Sequence, residues 1–185
     1  MKLFTKLFLV LLLLSVSVDA QEKTDKSKDS TKKATKNLPL EPKRQLKFNT
    51  QQGTWMSVDV HPNGKEIIFD MMGDLYTIPI SGGKATKVTK GMAYDVHPRY
   101  SPDGNSIVFI SDKSGSDNLW IRDLKTNEET QITKDKNQKH FSADWSPDGD
   151  YILGVKGRRG IKPYLYHKDG GSGAKLISAP AGLKV

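Results

Sequence analysis

The chain has 185 residues, 29 Lys+Arg against 21 Asp+Glu, and no Cys. Those figures exclude a disulfide-stapled mini-protein and any cysteine-based zinc or redox site. At 36% hydrophobic content the chain is too polar for a polytopic membrane protein, and its length holds one domain with a short tail.

Residues 1–20 read as a secretory signal peptide. Lys2 and Lys6 precede an apolar-to-small run from Leu7 to Val18, and Val18-Asp19-Ala20 forms a small-x-small cleavage site. As a helix that run would span only about 18 Å, short of the roughly 30 Å hydrocarbon core. No stable membrane span is therefore expected after cleavage. The mature chain should begin at Gln21, in the periplasm or outside the cell, and a cysteine-free exported chain fits a bacterial source.

Residues 21–45 read as a Lys-rich linker, with eight basic and four acidic side chains up to Arg44. Such a segment buries too little apolar surface to offset its ordering entropy. No aromatic side chains are interleaved with the lysines to stack bases, so nucleic acid is not an expected partner.

The remainder is a threefold repeat. His61-Pro62-Asn63-Gly64, Ser101-Pro102-Asp103-Gly104 and Ser146-Pro147-Asp148-Gly149 are near-identical turns. Proline presets φ for the second turn position, Asp or Asn suits the third, and Gly accepts positive φ. An apolar run follows each turn: Ile67-Ile68-Phe69, Ile107-Val108-Phe109 and Ile152-Leu153-Gly154. These runs are apolar at successive positions, as in a strand covered on both faces. A later segment alternates, as in Thr130-Gln131-Ile132-Thr133, which suits an outer strand with one wet face.

Each unit thus predicts four short antiparallel strands. The first unit places them at 57–61, 66–72, 74–80 and 85–90. The second uses 97–101, 106–112, 118–124 and 128–134, and the third 141–146, 151–156, 163–168 and 174–179. Four-stranded units repeating every 40–45 residues define an all-β, partial β-propeller over residues 46–180, with a tail at 181–185. Gly154 stands where the second unit has Phe109, so the third blade is expected to pack less tightly.

The turn Ser101-Pro102-Asp103-Gly104, followed by Ile107-Val108-Phe109-Ile110-Ser111-Asp112 and then Gly115 and Asn118-Leu119-Trp120, resembles the TolB-like (WD-like) propeller repeat family. Gly73-Asp74-Leu75-Tyr76, Gly82-Gly83-Lys84-Ala85 and Gly91-Met92-Ala93-Tyr94-Asp95 are more narrowly similar to the N-terminal propeller of secreted bacterial amidohydrolases. That second resemblance transfers no catalytic residue, because the metal-binding barrel it implies is not in these residues.

Three units cannot close a ring, which typically takes four to eight blades. Leu46-Lys47-Phe48-Asn49 precedes the first turn as Thr86-Lys87-Val88-Thr89 precedes the second, so it reads as an orphan outer strand. The expectation is a piece of a longer protein, ahead of a ring completed by several chains.

Catalytic constellations are scarce. His61, His97, His140 and His167 form no compact metal spacing, and neither a Gly-x-Ser-x-Gly elbow nor a phosphate loop is present. His61 reads as a turn residue and His167 as solvent-exposed. Asp112 to Asn118 has oxygens at calcium-like spacing but no following bidentate Glu. No cofactor and no metal are expected.

Loops entering the innermost strands and loops joining the middle strands share one end of a propeller. A candidate binding face there comprises Trp55, Tyr94, Asp95, His97, His140, Arg158 and Arg159. The expected function is a non-catalytic scaffold for a protein or peptide partner in the cell envelope. The alternative is the N-terminal propeller portion of a secreted metal-dependent amidohydrolase, with downstream blades and a catalytic domain as its partners.

Overall fold

The computed structural model describes residues 47–177. The signal peptide, nearly all of the linker, Leu46 and the tail lie outside the described residues.

Twelve strands form three four-stranded antiparallel sheets, each joined in simple sequential order. The first sheet holds β1 (Val58–Val60), β2 (Glu66–Met71), β3 (Asp74–Pro79) and β4 (Thr86–Lys87). The second holds β5 (Asp95–Tyr100), β6 (Ser106–Ser111), β7 (Asn118–Asp123) and β8 (Glu129–Gln131). The third holds β9 (Lys139–Trp145), β10 (Tyr151–Gly157), β11 (Ile161–His167) and β12 (Ala174–Lys175). Three blades of a propeller are thus present, as the repeat predicts.

The turns follow from their residues. Gly64, Gly104 and Gly149 sit at φ 68°, 71° and 74°, where a Cβ would be strained. Their N–H groups donate to the carbonyls of His61, Ser101 and Ser146 at 2.8, 2.8 and 2.9 Å. In the second turn the Ser101 hydroxyl donates to Asp103 at 2.6 Å, and Ser101 with Asn105 holds the Asp103 carboxyl down to about 2. His61 does more than turn the chain. Its Nε2 lies 3.1 Å from the Gly104 carbonyl and its ring meets Tyr100 edge-on, so it pins the first blade to the second.

Strand pleating gives each blade two faces. Positions five, seven and nine after the turn proline look back toward the preceding blade. Positions six and eight look forward. In the second blade Ile107 and Phe109 look back and pack with Ile68 and Leu75, while Val108 and Ile110 look forward and pack with Ile152 and Tyr166. All four central side chains are almost wholly buried. Among the described residues the flanking blades pack against another blade on one side only. Phe69, on the first blade's back face, stacks on Tyr76 at 5.7 Å and is half-buried, and Leu153, on the third blade's forward face, is 38% exposed.

Several expectations are refined. The inner strands of the second and third blades start at Asp95 and Lys139, two residues earlier than predicted, because each carries a β-bulge. The outer strands are shorter, down to two residues in β4 and β12. Residues 47–50 form no strand and are exposed, so the anticipated outer strand is unpaired over its described residues. Gly154 does not leave a void. A Cβ there would lie 2.8 Å from Leu119 Cδ1 and 3.0 Å from Tyr166 Cε2, so neighbouring side chains already fill the space of the missing Phe. Tyr166 is 1% exposed, and the back of the third blade is therefore well packed.

Candidate functional site

The end bearing the inner-strand entries and the middle-strand turns is built differently at each blade. Trp55, Asp95 and His140 each stand seven residues before a turn proline, so they are one repeat position in three settings. Trp55 is fully exposed, with no blade before it among the described residues, and takes φ 62°. Asp95 and His140 are 2% and 3% exposed, wedged between their own blade and the one before. Two of the predicted face residues therefore lie under the surface rather than on it.

At the first junction the Asp70 carboxylate organises the backbone. Its Oδ1 accepts the Ser57 N–H at 3.0 Å and its Oδ2 accepts the His97 N–H at 2.7 Å. His97 sits in the bulge of β5 at φ 55°, a conformation this bond helps to hold. The His97 ring places Nδ1 2.6 Å from Ser57 Oγ. A serine and a histidine in contact resemble part of a nucleophilic triad, but the carboxylate is engaged by backbone N–H groups and does not orient the imidazole. The arrangement latches two blades together. Tyr94 is 57% exposed; its N–H donates to Asp112 Oδ1 at 2.8 Å and its ring lies over Gly73.

The second junction holds a buried ionic cluster that sequence reasoning missed. Asp135, just beyond β8, accepts from Lys156 Nζ at 3.0 and 3.2 Å. Its Oδ2 also lies 3.0 Å from His140 Nε2. Lys156 is 8% exposed, and its ammonium stands 4.4 Å from the Tyr164 ring centroid. Burial pushes the His140 pKa down, against the pull of Asp135. Neutral His140 then carries its proton on Nε2 and donates to Asp135, leaving a bare Nδ1 buried without a partner. Burial opposes charge on Lys156 as well, but Tyr166 and Asp135 outweigh it and its pKa rises. Burial likewise opposes charge on Asp135, but Lys156 and His140 hold its carboxyl down. At Asp95 burial prevails and the pKa rises, with Oδ1 unpartnered. A signal for Lys156 exists in the sequence: it stands nine residues after Pro147, a position that points back into the interface, where the second blade has Ser111.

Above this cluster lies a groove of about 640 Å³ between the second and third blades. Its walls include Asp117, Lys136, Lys139, Phe141 and Arg158. Phe141 is the extra residue of the bulge in β9 and is 42% exposed. Arg158 and Arg159 are exposed in the turn between β10 and β11, and of these two Arg158 lines the groove. Of the seven predicted face residues Arg158 lines this groove, Tyr94 and His97 lie at the first junction, and Trp55 stands free of both.

The Asp112–Asn118 loop is ordered by its own side chains. Asn118 donates to the Ser114 hydroxyl and the Asp135 carbonyl, and accepts from the Thr133 hydroxyl at 2.9 Å and the Asp135 N–H at 2.8 Å. Among the described residues no three His, Cys, Asp or Glu side chains converge as cation ligands. No helix among them is long and apolar enough to cross a membrane.

Sheets joined inner to outer, with interlocking faces and a common loop-bearing end, define a β-propeller repeat array. The TolB beta propeller domain family matches residues 15–181, and the chain belongs to that family. A 91-residue stretch is 32% identical to dipeptidyl-peptidase 5 of Porphyromonas gingivalis, covering 45% of this chain and 13% of that protein. Tricorn protease homolog 1 of Streptomyces coelicolor is 25% identical over 126 residues, 66% of this chain and 12% of that one. The crystal structure of TolB from Acinetobacter baumannii superposes with a TM-score of 0.57 at 23% identity, covering 68% of this chain and 33% of that one. The chain matches only about an eighth of the length of these two curated relatives.

Proposed function

We propose that this propeller segment is a non-catalytic binding scaffold for a protein or peptide in the cell envelope, and that it engages its partner at the groove between the second and third blades. The observation that supports this most is the division of labour at that junction. The ionisable cluster is turned inward and self-neutralised, while Phe141, Lys139 and Arg158 stand exposed around an open groove. A half-exposed aromatic among long cations is suited to a peptide carrying an apolar and an acidic side chain. The envelope setting rests on the leader expected at residues 1–20: the chain should be cleaved after Ala20, and N-terminal sequencing of exported protein should read Gln21 first. Retention of Met1 on exported protein would refute the leader.

The test of the scaffold is a photo-cross-linking side chain at Arg158, with one at Asn127 on the opposite end as control. The Arg158 probe should trap one envelope protein, and Phe141→Ala should reduce that product several-fold. Equal trapping from both probes would sink the reading.

A second reading keeps the same propeller as the N-terminal portion of a secreted metal-dependent amidohydrolase. The quoted Gly73–Tyr76 and Gly91–Asp95 segments favour it; the curated relatives are named as a dipeptidyl-peptidase and a tricorn protease homolog, which supports a propeller within a longer enzyme but not an amidohydrolase in particular. An in-frame downstream barrel with His-x-His would support it. A stop after a few further blades would leave the scaffold alone.

A further inference from the structure

The strand that carries His140 does not alternate simply. Along β9 the side chains of His140 and Ala143 are buried, while Phe141 and Ser142 between them both look out. The register gives the reason. His140 pairs with Lys156 and Ser142 with Val155, so Phe141 is an extra residue with no partner on β10. A bulge of this kind re-aims one side chain. Here it turns Phe141 into the wall of the groove and keeps His140 in the junction beneath. The main chain beside the bulge is braced by a residue of that same wall. The His140 N–H donates to the Asp117 carbonyl at 3.2 Å, and Lys139 reaches the Asp117 carboxylate at 3.1 Å.

We infer that this bulge is a two-position element operated by a proton. With His140 neutral the ring stays in and Phe141 stands out at the groove; with a second proton the ring leaves for water and Phe141 takes its place beside Tyr166. The inference rests on the groove being the binding site, and adds its regulation: the aromatic wall is displayed at neutral pH and withdrawn in acid. A one-residue slip is what a strand needs to exchange its inward and outward side chains. The bulge already holds the extra residue that such a slip uses. The groups facing the ring decide the direction. The end of the second blade brings Asp135, 3.0 Å from Nε2, and the Lys156 ammonium of β10 shares that carboxylate. The loop before β7 brings Asp117, already on Lys139. From β11 come Tyr166, with ring centroids 5.8 Å apart, and Tyr164 stacked on it, while Lys162 is exposed. Among the described residues none of these gives Nδ1 an acceptor. The start of β5 brings Asp95, whose charged neighbours are Lys113 and Glu129, and its His97 and Arg99 bond within the first junction. Strand β6 has no ionisable side chain, and Arg122 and Asp123 stand at the far end of β7. A proton on Nδ1 would therefore be buried, unbonded and close to an ammonium that already uses the same carboxylate. Burial holds the ring below its ordinary 6.5, so the outward position fills in acid. A phenyl ring meets no such penalty next to the apolar cluster to which Tyr166 belongs.

The experiment places a fluorine-labelled phenylalanine at position 141 alone in the full chain and follows its fluorine NMR signal from about pH 8 to pH 5. Amide exchange is read alongside on residues 139–143 and on β6. The signal should move along one proton's titration curve, with its midpoint below 6.5. His140→Gln keeps a neutral donor for Asp135 and should leave the signal fixed. Lys156→Met removes the ammonium that opposes the second proton, so the same titration should shift to higher pH. This second variant decides the matter if His140→Gln does not fold. Corrected for intrinsic rates, exchange at 139–143 should quicken several-fold in acid and stay slow in β6, which separates a slip from general unfolding. A signal unmoved by pH, a movement that persists in His140→Gln, a midpoint that fails to rise in Lys156→Met, or equal loss of protection in β6 would overturn the inference. Binding is read separately. If the Arg158 probe traps nothing at either pH, the scaffold reading fails while the ring titration still decides the slip; a flat titration sinks the slip and leaves the scaffold.

Discussion

The second and third blades share a turn, a strand order and a repeat position for nearly every residue, yet they are held by different forces. In the second blade, position seven after the turn proline is Phe109, wholly buried against the first blade. In the third blade it is Gly154, with Leu119 and Tyr166 leaning into the space. Nine residues after the proline, Ser111 is replaced by Lys156, which needs Asp135 to be buried at all. Seven before it, Asp95 is replaced by His140 on the same Asp135. The second blade is joined backward by apolar packing plus hydrogen bonds in which Asp70 and Asp59 accept its backbone N–H groups, with no buried ammonium among them. The third is joined by packing plus an ionic cluster that ties it to the end of β8. Repeats of equal shape can therefore have joints of unequal chemistry, and their stabilities should respond differently to truncation and to pH.

The largest expected effect tests the apolar joint. Phe109→Ala should cost about 3–5 kcal/mol in urea unfolding, from lost burial and the cavity left behind. Phe69→Ala, at the same repeat position on a face that meets no other blade among the described residues, should cost about 1 kcal/mol or less. Equal losses would show that the first blade's back face is already covered.

Asp135→Ala comes next, with a loss of about 3 kcal/mol, because it leaves the buried Lys156 ammonium unpaired. Lys156→Met should cost less, since Asp135 keeps partial access to solvent. The reverse order in denaturant midpoints would mean that Lys156 reaches water in the folded state.

Acid should separate the two blades. His140 has a lowered pKa, so the unfolded chain binds a proton there more readily than the folded one. Its contribution is fully present above the ordinary value of 6.5 and is lost as pH falls below it, with a slope of up to about 1.4 kcal/mol per pH unit. Asp95 has the opposite sign. Its raised pKa makes the charged form a burden at neutral pH, relieved as pH falls through its folded value toward 3.8. His140→Gln should flatten the stability profile below pH 6.5, and Asp95→Asn should raise the pH 7 midpoint. Parallel profiles for the two variants would refute the contrast.

The smallest effect belongs to the loop end. Arg158→Ala should change stability by no more than about 0.5 kcal/mol, since the side chain is exposed in a turn. A larger loss would make Arg158 a structural residue and weaken the case for the groove.

The propeller class, the number of blades and the placement of most strands were legible in the sequence, because turns made by Pro-Asp-Gly and apolar runs at a fixed offset are local properties. The unclosed ring was legible too, since it follows from counting repeats. Burial was not. Trp55, Asp95 and His140 are equivalent in sequence register, and they differ in exposure because, among the described residues, a blade stands before Asp95 and His140 but not before Trp55. The Asp135–Lys156 pair spans 21 residues and two sheets, so no local pattern announces it. Gly154 reads as a defect along its strand and is a fit only once Leu119 and Tyr166 are placed across the interface. Local chain chemistry sets the repeat, whereas burial and charge pairing depend on which faces meet, and that is settled only when the blades stack.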